Sequence, residues 1–363
     1  MYKNKFLLSS LIALTLVAQS THAEQNLKVG DLEVVAAINI RPGNVSVSDD
    51  GRIFATVHPL DTPSRWRLIE ITGKNSYKAW PNESWQKNEG ANPANQIDTP
   101  LGITRDAKNR LWIVDMGLNI GKTRIFGFDI STGKHLITLE LPESVAPRRS
   151  FIQDLVVDAD GGWIYLADIS NPGLITVNIE KQTATRFSGH PSLQSDKRAV
   201  MHIDGEDTQF NGKPASVAVN PITLSPDHKT VFFGAMNGTI WYQVDAALLQ
   251  QGNNERTAAS IKVVGPKPVS DGAAISATGT HYFTNLNNNE IDYINPQGKL
   301  VPLVKSALLD WPDSAQFGDK NWLYISANQL HRSAAFTGKG DKGEAPYRIL
   351  RVWTNEQQPF TSK

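Results

Sequence analysis

The chain has 363 residues, with 36 Lys+Arg against 36 Asp+Glu, a formal net charge of +0, and 40% hydrophobic residues. This is an ordinary globular balance, and without a Lys/Arg-rich run it offers no footprint for a phosphate backbone, so nucleic acid is not an expected partner. The lack of cysteine excludes disulfides, thiolate metal sites and cysteine nucleophiles together, leaving oxygen or imidazole to hold any metal. In chain order, Lys3 and Lys5 precede the apolar run Phe6 to Ala18 and then Thr21-His22-Ala23, a small-x-small cleavage signature before Glu24. Residues 1–23 are therefore read as a secretory signal peptide, since a run of about 13 residues falls short of the ~20 needed to span a bilayer. The expected mature protein is exported, periplasmic or extracellular, with no membrane span after cleavage.

Six segments then repeat one plan, in which a short alternating strand, a turn rich in Asp, Gly or Asn, and a second strand with an aromatic residue follow one another. They begin at Gly43, Pro100, Gln153, Asn220, Ser270 and Pro312. Their aromatic anchors Phe54, Trp112, Tyr165, Phe232, Tyr282 and Tyr324 recur about every 54 residues, near the ~50-residue period of four-stranded propeller blades. Further strand-like runs follow, such as Trp66 to Thr72, Arg124 to Ile130 and Leu174 to Ile179. Helical periodicity is nearly absent, and Asp245 to Gln251 is expected to make one or two turns ended by Gly252.

Four strands in each of six repeats predict an all-β, six-bladed β-propeller of four-stranded antiparallel blades. The last repeat lacks a strand after Tyr347 to Trp353, and Glu33 to Asn39 ahead of the first repeat is expected to supply it, so the N-terminal strand closes the last blade. Residues 24–363 then form one domain, expected to be a monomer. The 31 residues from Gly189 to Val219 are too many for a propeller turn of ~4 to 6 residues and, with the Asn-rich stretch Pro81 to Thr99 carrying Trp85, are candidate covers for a channel mouth.

Hairpin geometry puts the start of each first strand and the end of each second strand on one rim. The first-strand starts are Asn44, Leu101, Asp154, Asn220, Asp271 and Asp313, and the second-strand ends include Asp115, Asp168 and Asn285, with His58 and Asn328 one step further on. Oxygen donors converging from several blades are the ingredients of a Ca²⁺-type site. The same residues also cap turns and strand starts throughout β proteins, and both readings stand at this point. The rim residues Asn44, Gln153, Asp154, Asp168, Asn220, Asp271, Asn285 and Asp313 are the candidate contacts for a small-molecule ligand, polar or aromatic. Asn44, Asp154, Asn220 and Asp271 are the candidate set for a divalent cation such as Ca²⁺, with Asp154 and Asp271 as candidate catalytic carboxylates assisting water. Asp50, Asp160, Asp227 and Asp319 fall in hairpin turns on the opposite rim and are assigned to turn formation. No HExxH, no GxSxG, no GxGxxG before a helix and no GxxxxGK(S/T) occurs.

The stretches RPGNVSVSDDGRIFAT, PLGITRDAKNRLWIVDMG, FIQDLVVDADGGWIYLADIS, NPITLSPDHKTVFFGAMNG, SDGAAISATGTHYFTN and LLDWPDSAQFGDKNWLYISANQLHR resemble, in order, the yellow/major royal jelly protein family, and in particular its bacterial exported members. The resemblance implies a six-bladed propeller. The family includes a dopachrome-converting isomerase branch and salivary amine binders, so it implies no single activity. Isomerase chemistry would need a general base, for which Asp154, Asp168 or His58 is available. Where the family pattern has Asn-Asp in the third blade, this chain has Gln153-Asp154. A more distant resemblance to gluconolactonase-like propellers implies a divalent metal held at first-strand starts, with Asn220 and Asp271 matching an Asn and an Asp of that set. Asn44 replaces the Glu used there in the first blade, which lowers the charge available to a cation.

Overall fold

The first repeat folds into four antiparallel strands, Pro42–Val47, Ile53–Val57, Leu68–Gly73 and Ser76–Ala79, each hydrogen-bonded to the next. This is blade 1 of a computed structural model that describes residues 27–60, 64–86 and 95–359. The expected signal peptide lies outside the described residues. Blades 2 and 3 repeat the meander from inner strands Pro100–Arg105 and Ile152–Asp158, and blades 4 and 5 from Val219–Leu224 and Ala273–Ile275. Blade 6 starts with Pro312–Phe317 and Trp322–Ala327 and continues with Tyr347–Trp353. Its outer strand is Leu32–Ile38, antiparallel to Tyr347–Trp353 with Leu32 opposite Val352 and Ile38 opposite Tyr347. The N-terminal strand thus closes the ring, and the six inner strands contact one another in a closed cycle around an axis.

The aromatic anchors fill the spaces between blades. Phe54 and Trp112 are fully buried, Phe54 with Trp80, Ile103 and Phe126 between blades 1 and 2, and Trp112 with Ile152 and Ile164 between blades 2 and 3. Flat sheets twist, so adjacent faces diverge outward, and large rings occupy the wedge that aliphatic side chains leave open. Trp85 also sits in this wedge, edge-on to Phe126 and Phe128. It packs the blade 1–2 interface rather than covering a mouth.

Between the third and fourth strands of blade 4, Ile240–Asp245 and Lys262–Pro266, Ala246–Gln251 forms the expected helix, capped by Asp245, which accepts from the Ala247 amide at 2.8 Å, and ended by Gly252 at φ 66°. A second helix, Asn254–Ser260, follows it. Its polar face hides it from a periodicity search, and it forms because Asn253 caps it and Thr257 packs under it. Among the described residues no helix is long and apolar enough to cross a membrane.

The insertion before blade 4 folds as two small hairpins, His202–Ile203 with Glu206–Asp207 and Gln209–Phe210 with Lys213–Pro214. Met201 and Ile203 are buried in one cluster with Met236, Val269, Leu286 and Trp311 from blades 4 to 6. The insertion therefore lies over one end of the axis as an apolar lid.

Candidate functional site

At the lidded end, the upper rim, five of the six inner strands break register with their second strands. The skips fall between Pro42 and Val45, Pro100 and Ile103, Ile152 and Asp154, Val219 and Ile222, and Pro312 and Ala315. A bulge bends a strand and re-aims the side chains within it. In blade 5 the inner strand starts late, and Asp271-Gly272 precedes it. Gly272 is required there because a Cβ would fall 2.5 Å from the Asp313 carbonyl oxygen of the next blade.

Backbone amides freed at the rim are recaptured by hydroxyls on the second strands. Asn44 N–H donates to Thr56 Oγ1 at 3.0 Å, Gly272 N–H to Thr284 Oγ1 at 2.9 Å, and Ser314 N–H to Ser326 Oγ at 3.2 Å. Each hydroxyl stands two residues after an aromatic anchor, a sequence signal that alternation analysis passes over.

The re-aimed side chains meet across the axis. The Asn44 amide of blade 1 donates to Asp154 Oδ1 of blade 3 at 2.5 Å, a contact two blades away that only a side chain on the axis can make. Gln153 donates to Asp271 Oδ1 and, at 2.9 Å, to Asp313 Oδ1, bridging blades 3, 5 and 6. Asn220 donates to Asp271 Oδ1 at 2.6 Å, and the Trp311 indole to Asp271 Oδ2 at 2.7 Å. Asn328 donates to Asp313 Oδ2 at 2.5 Å. Six of the eight rim candidates are thus in one connected network, together with Trp311 and Asn328.

The other two are placed elsewhere. Asp168 is fully buried off the axis, accepting from Ser150 Oγ at 2.6 Å, Arg186 at 3.1 Å and the amides of Phe151, Ser170 and Asn171. Asn285 donates to Asp292 within blade 5 at 2.8 Å. Both stand at second-strand ends, where no bulge turns the side chain inward; Asp168 joins blade to loop, and Asn285 joins two strands of its own blade.

Three carboxylates, Asp154, Asp271 and Asp313, share the ring, and among the described residues no lysine or arginine forms an ion pair with them. His58 Nε2 lies 4.0 Å from Asp313 Oδ2, but burial, reinforced by the nearby Arg41 charge, pushes this imidazole down to about 3, so it is neutral at pH 7. Arg41 itself is bound to Asp341 at 2.7 and 2.9 Å and to the Asn328 carbonyl. Burial raises Asp313 to about 7 and lifts Asp154 and Asp271 well above the usual carboxylate range, with the Asp313 charge adding to both. Meanwhile the carbonyl oxygens of Asn44 and Asn220 are buried without any partner, although their NH₂ groups are engaged. Orphaned buried acceptors are costly, and these two, like the ring acids, offer only oxygen, the ligand type that a hard divalent cation takes.

Asp271, Asp313 and Asn220 are fully buried beneath the lid. Asp154 is only partly covered and ends a channel cavity of about 100 Å³ that descends past Thr223 and Gln316 to Arg105 and Gln358 at the lower face.

With this geometry in place, the relatives can be compared. The family model for "Major royal jelly protein" matches residues 99–352. The chain is 24% identical over 229 residues to protein yellow of Drosophila melanogaster, covering 58% of this chain and 42% of that protein. It is 25% identical over 239 residues to protein yellow of Drosophila madeirensis, covering 61% and 42%. The match thus spans about two-fifths of the length of these curated relatives. Among solved structures, a gluconolactonase from Xanthomonas campestris superimposes with a TM-score of 0.56 at 12% identity, covering 92% of this chain and 93% of that one. Virginiamycin B lyase from Staphylococcus aureus gives 0.51 at 15% identity, covering 89% and 98%. These structural likenesses concern the fold alone, whereas the family match covers blades 2 to 6 in order, and the chain belongs to the major royal jelly protein family.

Proposed function

We propose that the upper-rim ring binds a hard divalent cation of the Ca²⁺ class through Asn44, Asp154, Asn220 and Asp271, and acts with it on a small polar ligand such as a lactone or related ester. The observation that carries this reading is the pair of partnerless buried Asn carbonyls set among three unbalanced carboxylates. A bound divalent ion supplies polarisation of a ligand carbonyl and a more acidic water. The chain's own contribution is positional. Trp311 and Gln153 hold the two oxygens of Asp271, Asn328 and Gln153 hold those of Asp313, and Asp154 is the ring carboxylate left facing the channel, placed to accept a proton from water. The gluconolactonase likeness supports lactones as the first class to assay.

Asp154→Asn and Asp271→Asn test the reading by diverging. Asp154 accepts one side-chain hydrogen bond, from Asn44, and its charge is opposed by Asp313, so its neutralisation is expected to leave the metal-free protein unchanged or slightly more stable. Asp271 faces donors on both oxygens, and an amide NH₂ in its place would confront one of them, costing about 1–3 kcal/mol. Both variants should lose stabilisation by Ca²⁺ and any lactone hydrolysis. Metal analysis after dialysis, followed by melts with and without Ca²⁺, measures this. A wild-type protein that binds no divalent ion and hydrolyses no lactone in the presence of Ca²⁺, Zn²⁺ or Mn²⁺ would sink it.

We also propose that the chain is exported with cleavage after Ala23, on the strength of the charged, apolar and small-residue regions of 1–23. N-terminal sequencing of the protein recovered outside the cytoplasm should begin at Glu24, and a chain retaining Met1 inside the cell would refute it.

A further inference from the structure

The ring has two approaches, and they are closed by different means. From above, the lid buries Met201 and Ile203 against Trp311. It is also latched ionically, since Asp204 on the lid hairpin meets His331 Nε2 at 3.1 Å and Arg332 at 3.3 Å, and Arg332 continues to Asp310 at 3.1 Å. The His331 ring lies parallel to Trp311, the residue that grips Asp271, so opening the lid would disturb the ring itself.

From below, the segment that follows the closing strand, residues 354–359, crosses the mouth of the cavity, where Gln358 and Pro359 line it. It crosses the lower face from blade 6 to blades 5, 1 and 2. Thr354 bonds the Asn321 carbonyl, the Glu356 carboxylate accepts from Thr278 and Thr280 at 2.6 and 2.9 Å, and the Gln357 carbonyl accepts from the Ala277 amide. Gln358 accepts from Arg105 and donates to Asp49 at 3.0 Å, while Pro359 lines the cavity mouth. Thr354 is buried, whereas residues 356–359 are all partly or fully exposed and their ties to the lower face are hydrogen bonds, the kind of contact that opens locally without unfolding the rest.

We propose that the lower channel is the route by which water and small cations reach Asp154, and that residues 356–359 are its gate. The inference rests on the cation-site reading for its biological sense, but the route is a property of the fold and is tested separately. The walls are mostly apolar, with Val157, Ile222 and Ala274 interrupted by Thr223 and Gln316. A passage of about 100 Å³ admits a few waters and an ion but no sugar-sized molecule. On this arrangement the larger ligand and the cation reach the ring by different doors.

Because the chain has no cysteine, Thr223→Cys places a single thiol on the channel wall. Its rate of modification by methyl methanethiosulfonate reads access without reference to any metal. Two changes are compared in that background. The gate is replaced by Glu356→Gly, Gln357→Ser, Gln358→Gly and Pro359→Ser, with Gln358→Ala and Pro359→Gly as a milder version should the first not fold. The lid is unlatched by Asp204→Asn and Asp310→Asn. Gate replacement should accelerate modification at least tenfold and lid unlatching less than twofold. Acceleration by unlatching to a similar or greater extent, or no acceleration by either, would overturn the proposal. A parallel measurement with Tb³⁺, whose luminescence Trp311 is positioned to sensitise, should show faster association in the gate variant with unchanged amplitude. Absence of any Tb³⁺ signal while the thiol rates behave as stated would count against the cation site and leave the route standing.

Discussion

Calcium-induced stabilisation of this protein should grow steeply between pH 5 and pH 8. In the metal-free folded state burial holds protons on the ring, Asp313 up to about 7 and Asp154 and Asp271 well above 3.8. The unfolded chain has lost them by then, so this group contributes stability at low pH that disappears as pH rises through about 7. A bound cation requires the ionised carboxylates, so binding expels those protons, and each one released strengthens binding about tenfold per pH unit, or roughly 1.4 kcal/mol. Other groups titrate over the same range. His58, held neutral and down to about 3, loses stability as pH falls below its ordinary value, and the buried Lys267, at about 7 through burial, does so as pH falls below the ordinary lysine range. Both are present with and without metal. The quantity to measure is therefore the difference between melts in Ca²⁺ and in chelator, which at ~100 times the dissociation constant reaches about 2.7 kcal/mol. A difference that is flat with pH, or that shrinks as pH rises, would contradict the protonated ring.

Replacing Asp168 by alanine should be the most destabilising change at the rim, about 3–5 kcal/mol, without any effect on the calcium response. Its carboxylate is fully buried and holds Arg186, Ser150 and three loop amides, so its loss strands a guanidinium that is itself largely buried, together with several donors. None of these partners belongs to the ring. Equilibrium denaturation of Asp168→Ala with and without Ca²⁺ checks both halves. A near-neutral melt, or a variant that folds but no longer responds to Ca²⁺, would move Asp168 from architecture to function.

Asp154 and Asp168 show why the rim was only partly legible in the sequence. Both are acidic, both follow from the same hairpin argument, and both lie at the same height on blade 3. Counting places them on one rim, but it does not say which way a side chain turns. That is decided by the skipped pairing between Ile152 and Asp154, which aims Asp154 across the axis, and by regular pairing at Asp168 opposite Gly173, which leaves its carboxylate to Arg186.

The blade count and closure were readable because they rest on local rules. Alternation, turn residues and a period of about 54 residues mark strands and blades, and the missing strand of blade 6 pointed by subtraction to Glu33–Asn39, one residue along from the observed Leu32–Ile38. The insertion announced itself as a cover by its length, and Ala246–Gln251 by its cap and its glycine. What tertiary structure alone decided lies in contacts between residues 40 or more positions apart. Gln153 tying Asp271 to Asp313, Trp311 gripping Asp271 from under the lid, and Gln358 meeting Arg105 at the far end of the channel have no local signature. Each depends on where the closed ring brings six strand ends together, and the burial that convergence imposes raises three carboxylates that would each ionise normally in water.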